Sequence, residues 1–238
     1  MKVTLLVPVL NEEVGMREIM PTVDRSLFHQ ILIVDGNSKD KTVEIARQQG
    51  LQVVIQKRPG VRGAYLDAWP HITGDAVLTF SPDGNSLVSC LKPCIEKFNE
   101  GYDMVIVSRY LNGAKSEDDD AITGFGNWLF TGSINFFHHF PYTDAMVIYR
   151  IYRKDLIHEL DLDDERSYTA EEKFFRTNVS WEPLMSIRAA KRTCQGKLKI
   201  AEIPGDEPKR VGGERKLQVL KWGAVFYWEI LREIFFWR

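Results

Sequence analysis

Cysteine is scarce: Cys90, Cys94 and Cys194 are the only three in 238 residues. Three isolated thiols cannot build the disulfide framework of a small secreted domain, and the Cys90/Cys94 spacing lacks the second ligand pair of a structural zinc site. They read as reduced thiols of a cytosolic protein. An excess of either charge is also missing, since 31 Lys+Arg face 33 Asp+Glu for a formal net charge of -2. Without a basic field, nucleic-acid binding is excluded as a main function. Nor is there the uninterrupted run of roughly 20 apolar residues that a membrane-spanning helix needs. The nearest approach, Leu217 to Trp237, is broken by Lys221, Glu229, Arg232 and Glu233. The apolar run Val3 to Leu10 holds Pro8 and passes straight to Glu12 and Glu13, so it reads as part of the fold and not as a secretory signal. Repeats, low-complexity tracts and linkers are absent, which points to one domain.

What is present is an alternation. A hydrophobic fraction of 44% supplies a sizeable core. Short β-branched runs at Val3–Pro8, Ile31–Val34, Val53–Ile55, Ala76–Phe80 and Met104–Val107 are separated by helical patterns over Glu13–Val23 and Thr42–Gln49. Continuous apolar strands divided by helices predict a parallel sheet of βαβ units. Beyond Arg109, residues Tyr110 to Thr123 read as a solvated loop with an acidic run at Glu117 to Asp120. A helix is expected over Asn127–Phe137, a strand over Met146–Tyr152, a helix over Pro183–Lys191, a strand over Leu198–Ile203 and a flexible loop over Gly205–Lys216.

In an open parallel sheet ligands bind at the carboxyl ends of the strands. Four polar tips fall there: Pro8-Val9-Leu10-Asn11-Glu12-Glu13, the loop Asp35 to Thr42, Ser81-Pro82-Asp83-Gly84-Asn85, and Ser108-Arg109-Tyr110. Each alone reads as a helix cap or turn. Together with Arg210-Val211-Gly212-Gly213-Glu214-Arg215-Lys216-Leu217, their order resembles family 2 glycosyltransferases of the dolichyl-phosphate mannose synthase-like branch, over residues 1 to about 217. The resemblance implies an α/β GT-A (Rossmann-like) domain over 1–217 with a mostly parallel central sheet, and a C-terminal aromatic amphipathic helix over 218–238.

It further implies transfer of a sugar, with inversion, from a UDP- or GDP-sugar to a lipid-linked or glycan acceptor in cell-envelope polysaccharide synthesis. The leaving diphosphate needs its charge neutralised, which Mg²⁺ or Mn²⁺ on oxygen ligands can do. Asp83 is the metal-ligand candidate, with Asn85 as a neutral oxygen ligand, because Ser81 stands where the family pattern has the first aspartate of Asp-x-Asp. Pro8, Asn11, Glu12, Asp35, Asn37, Ser38, Arg62, Arg109, Arg150, Arg215 and Lys216 are the candidate donor-binding residues. Asp144, in a segment whose Arg150 also matches the family, and Glu182, after Trp181, are two alternatives for the general base of a transfer to a hydroxyl. Arg210 would stabilise the leaving group from a loop that closes over the donor. His138 and His139 point in different directions on a helix, which suits a surface or acceptor-pocket placement better than a metal pair.

The aromatic stretch Trp222 to Trp237 fits membrane contact and homo-oligomer packing equally well, so a cytoplasmic protein with or without peripheral contact at the inner face of the membrane is expected. Two rival readings remain. A nucleotidyltransferase would open with a glycine-rich basic loop, where Pro8 to Glu13 is acidic, and a catalytically inactive nucleotide-binding scaffold is suggested by Ser81.

Overall fold

The computed structural model describes residues 1–211 and 219–237. The chain runs β1 (Val3–Val9), α1 (Glu13–Glu18), β2 (Gln30–Asp35), α2 (Thr42–Gln48), β3 (Gln52–Ile55), α3 (Gly60–Ala68), β4 (Ala76–Thr79), α4 (Leu91–Phe98) and β5 (Met104–Ser108). It continues through α5 (Ala121–His138), β6 (Arg150–Arg153), α6 (Leu156–Glu159), α7 (Thr169–Phe175), α8 (Glu182–Cys194), β7 (Ile200–Pro204) and α9 (Val219–Phe236). The strands form one seven-stranded sheet in the order β3-β2-β1-β4-β6-β5-β7. Among the described residues only β6 runs antiparallel to its neighbours, β4 and β5.

The β-branched runs form interior strands because both faces of the sheet are covered. Side chains alternate between them: Leu6, Leu32, Val77, Ile106 and Tyr152 face a core built with α3, α5, α8 and α9. Leu5, Val7, Ile33, Leu78, Val105 and Ile151 face a core built with α1, α2 and α4. Pro8 is tolerated in the central strand because its nitrogen points toward the β4 side, where β4 has already ended opposite Leu6.

Several boundaries differ from expectation. The helix read over Glu13–Val23 stops at Glu18, and a 3-10 turn over Met20–Thr22 carries Pro21 at its start. The strand read from Met146 begins only at Arg150. The acidic run is a loop that is only partly solvated, with Glu117 and Asp120 exposed and Asp118 and Asp119 half-buried. Asp120 caps α5 by accepting from the Ile122 and Thr123 amides, while Tyr110 donates its hydroxyl to Asp119. His138 is buried, and His139 ends α5 in the left-handed conformation at φ 50°.

Candidate active site

The carboxyl ends of β1, β2, β4 and β5 open on a cavity of about 610 Å³ whose wall includes Pro8, Glu12, Asp83, Asn85, Arg109 and Arg210. Its floor is held by interlocked strand tips. Asn11, at φ 56°, accepts the Lys39 amide on Oδ1 at 2.7 Å and donates its own amide to Ser38 Oγ at 2.8 Å. Asp35 Oδ2 accepts the Ser38 amide at 3.0 Å, and Asn37, at φ 66°, donates Nδ2 to the Gln56 carbonyl at 3.1 Å. These residues build the loops behind the cavity, and Gly36 and Gln56 from the same segments form its surface. Asp35 Oδ1 is buried with no hydrogen-bond partner among the described residues.

The Ser81–Asn85 loop lies against α1 at a point where only glycine fits: a Cβ on Gly15 would fall 1.9 Å from the Pro82 carbonyl oxygen. Asp83 Oδ1 accepts the Asn85 amide at 3.1 Å, and its Oδ2 lies 3.4 Å from Arg210 Nη1. Arg210 Nε lies 3.3 Å from Asp118 Oδ2, which also accepts Asn85 Nδ2 at 3.0 Å. The loop bearing Arg210 is anchored, since Val211 donates its amide to the Asp83 carbonyl at 2.9 Å and Glu207 donates to the Lys115 carbonyl at 2.9 Å.

Arg109 joins the halves of the site. Its Nε and Nη2 clamp Asp144 at 2.6 and 3.0 Å, and Nη1 reaches Glu207 at 3.2 Å. Burial would lower the Arg109 pKa, but the Asp144 and Glu207 carboxylates outweigh it and hold the guanidinium charged well above its usual range. Burial raises the Glu207 carboxyl despite the Arg109 charge beside it. Glu202 fixes the segment before Asp144 by accepting the Thr143 and Asp144 amides at 2.9 and 3.0 Å.

A second cavity of about 470 Å³ shares Arg109, Val147, Ile148, Glu207 and Arg210 with the first. It runs between α5, α8 and α9, and Phe130, Met146, Pro183 and Phe226 make much of its wall apolar. Glu182 lies in this wall and accepts the Tyr65 hydroxyl at 2.6 Å. Burial raises its pKa, outweighing the Tyr65 hydrogen bond and the Arg150 charge.

The expected residues therefore divide. Pro8, Glu12, Asp83, Asn85, Arg109 and Arg210 converge on the first cavity, and Glu182 faces the second. Asn11, Asp35, Asn37 and Ser38 support the loops behind it. Asp144 is fully buried, with both carboxylate oxygens on the Arg109 guanidinium. Arg150 turns into the core, with Nε on the Val147 carbonyl at 2.9 Å and Nη1 on Ser186 Oγ at 3.0 Å. Arg62 points away from the cavity to Glu172 at 2.7 Å and over the Tyr168 ring at 4.2 Å. Arg215 and Lys216 lie outside the described residues. Asp118 and Glu207 escaped notice because an acidic run and a charged turn look solvated in a sequence.

Among the described residues no three His, Cys, Asp or Glu side chains gather into a metal-holding group. The donor set that fits a hard divalent cation is instead Asp83 with the buried Oδ1 of Asn85, which has no hydrogen-bond partner among the described residues, both oxygen.

Comparison with known proteins agrees with this architecture. Residues 4–161 match the model of Glycosyl transferase family 2, and the chain belongs to that family. Among similar proteins, the Dolichyl-phosphate hexose transferase of Haloferax volcanii is 28% identical over 90% of this chain and 86% of its own length. Glycosyltransferase AglJ of the same organism is 24% identical over 97% of this chain and 71% of its own. The glucosyl-3-phosphoglycerate synthase of Mycobacterium tuberculosis, solved with Mn²⁺, UDP-glucose and phosphoglyceric acid, superposes with a TM-score of 0.71 at 16% identity, covering 98% of this chain and 79% of that one. The fold is thus that of the GT-A glycosyltransferases, and the protein is a glycosyltransferase.

Proposed function

We propose that the protein transfers a sugar from a nucleoside-diphosphate donor to a lipid-linked phosphate acceptor, with inversion at the anomeric carbon. The observation that carries this reading is the pair of confluent cavities of opposite character. The first, at the strand tips, offers Glu12, Asp83, Asn85 and Arg210 to a nucleotide and its diphosphate, and the second offers a largely apolar trough to an acceptor. The names of relatives such as the Dolichyl-phosphate hexose transferase support a lipid-phosphate acceptor.

In a single displacement the acceptor oxygen bonds to the anomeric carbon as the bond to the diphosphate breaks, so both substrates must meet across one opening. Arg109 and Arg210 stand where the cavities join. Arg210 is placed to meet charge developing on the leaving group, and its replacement by Ala should lower kcat by roughly a hundredfold, the scale of losing one electrostatic stabiliser. Asp83 and Asn85 would hold Mg²⁺ or Mn²⁺, which supplies Lewis-acid neutralisation of the diphosphate when bound. A phosphate acceptor is already anionic at neutral pH and requires no base.

No helix among the described residues is long and apolar enough to cross a membrane. Ile122, Phe125 and Trp128 stand exposed on α5 beside Thr123, Gly126 and Asn127 of the apolar cavity. This placement suits a protein that meets its acceptor at the inner membrane face.

A second reading, transfer to a hydroxyl with Glu182 as base, is favoured by the position of Glu182 in the cavity wall and its raised proton affinity. Labelled transfer from a panel of UDP- and GDP-sugars to a polyprenyl phosphate or a glycan, with the product anomer determined by NMR, tests both. Glu182→Gln keeps an acceptor for Tyr65, so it should retain most of the wild-type kcat with the phosphate acceptor. With the glycan acceptor, a loss of a hundredfold or more in a folded variant would favour the hydroxyl chemistry.

A further inference from the structure

We propose that Asp118 is the second carboxylate of the divalent-cation site, and that Arg210 is the resident counter-ion displaced when the cation binds. The inference rests on the cation use proposed above and specifies its ligands. Asp83 is the only carboxylate within Ser81–Asn85, and one carboxylate with one amide oxygen is a thin donor set for a divalent cation. The structure brings a second carboxylate from a segment about thirty residues away.

Asp118 Oδ2 accepts Asn85 Nδ2 at 3.0 Å. That bond orients the Asn85 amide and leaves its Oδ1 buried without a hydrogen-bond partner among the described residues, on a residue only 7% exposed. Among the described residues a guanidinium spans the two acids, with Arg210 Nη1 3.4 Å from Asp83 Oδ2 and Nε 3.3 Å from Asp118 Oδ2. The guanidinium stands in for a cation between two carboxylates.

The segment carrying Asp118 is built to stay there. The Glu117 amide donates to the Glu207 carbonyl at 2.8 Å, the Tyr110 hydroxyl donates to Asp119, and Asp120 caps α5. On the other side, the Val211 amide holds the Asp83 carbonyl, and Gly84, at φ 90°, leaves room for the Val211 side chain. Arg210 can therefore leave the acids by side-chain rotation while its backbone remains tethered. Once released it is a free cation at the mouth of the donor cavity, so binding of the metal and recognition of the diphosphate become one coupled event.

The test is direct Mn²⁺ binding by the full chain, followed through the EPR signal of free Mn²⁺, with and without UDP. Asp118→Asn preserves the bond to Asn85 but removes the charge, and should weaken Mn²⁺ binding by at least about tenfold, the lower end for disturbing a metal site. Asp118→Glu should recover part of the loss. Arg210→Gln should bind Mn²⁺ several-fold more tightly than wild type when UDP is absent, because the competing cation is gone. An Asp118→Asn affinity equal to wild type, or an Arg210→Gln affinity no tighter, overturns the inference, as does a wild-type protein that takes up no Mn²⁺ in either condition. UDP affinity measured calorimetrically without metal separates the two levels. UDP binding together with a Mn²⁺ dependence lost in Asp83→Ala but kept in Asp118→Asn would leave the donor reading standing and remove Asp118 alone.

Discussion

Asp144→Asn tests whether this carboxylate is a base or a clamp. Asp144 has no exposed surface, and both its oxygens accept from one guanidinium, that of Arg109. The amide has nearly the same shape but no charge and only one accepting oxygen. It leaves Arg109 with Glu207 as its remaining carboxylate, at 3.2 Å. Breaking a buried pair by neutralising one partner costs about 3–5 kcal/mol, and the surviving Glu207 contact places the expectation near the lower end, about 3 kcal/mol. In a chain of this size that corresponds to a fall in Tm of about 6–12 °C. Urea denaturation of the variant should show it, and a double-mutant cycle with Arg109→Met should return a coupling of about 1–3 kcal/mol. A variant as stable as wild type, with kcat reduced a hundredfold or more, would refute the clamp and make Asp144 the base.

Gly15→Ala should displace the Pro82 carbonyl and the Asp83 loop with it, because the added Cβ would meet that oxygen at 1.9 Å. UDP affinity in the presence of Mn²⁺ should fall by about tenfold or more by calorimetry, and unchanged affinity would show that the loop position is immaterial. Arg62→Ala should leave UDP affinity within about twofold of wild type while lowering stability by about 1–2 kcal/mol through its lost Glu172 contact; a large affinity loss would return Arg62 to the donor site. Glu229 is fully buried with neither oxygen hydrogen-bonded among the described residues, and burial lifts its carboxyl well above the ordinary range. A carboxyl raised in the folded state contributes its full stability below the unfolded value of about 4.3 and loses it as pH rises toward the folded value. Glu229→Gln should therefore lose less stability than wild type between pH 5 and pH 8 in urea titrations, and parallel pH profiles would contradict the assignment.

The parallel part of the sheet could be read from residues because interior strands and their helices have opposite periodicities, and the strand tips follow once the strands are placed. What hid was orientation. Arg109 and Arg150 look equally suited to a phosphate in the sequence, yet one follows a strand end into the cavity and the other lies on β6 and turns inward to backbone carbonyls. Asp118 and Asp120 sit two positions apart in one acidic run, and one meets Arg210 while the other caps a helix. In α9 two of the charges that seem to interrupt an apolar stretch are paired: Glu233 with Arg188 of α8 at 2.8 Å, and Arg232 with Glu171 of α7. Such pairings join residues 45 and 61 positions apart, so no local pattern records them.

The position of β6 has a consequence for the order in which the molecule assembles. It lies between β4 and β5 although it follows both in the chain, and it is the only strand that joins them. During synthesis, a chain that has emerged only as far as β5 can pair β1 to β4 in sequence but leaves the outer edge of β4 open. It also leaves β5, with its buried Met104, Val105 and Ile106, without a sheet to enter. Residues 150–153 close both gaps at once, after which β7 adds at the far edge. An open strand edge is a template for pairing with other chains, so the nascent protein is expected to be most exposed to aggregation until those four residues arrive.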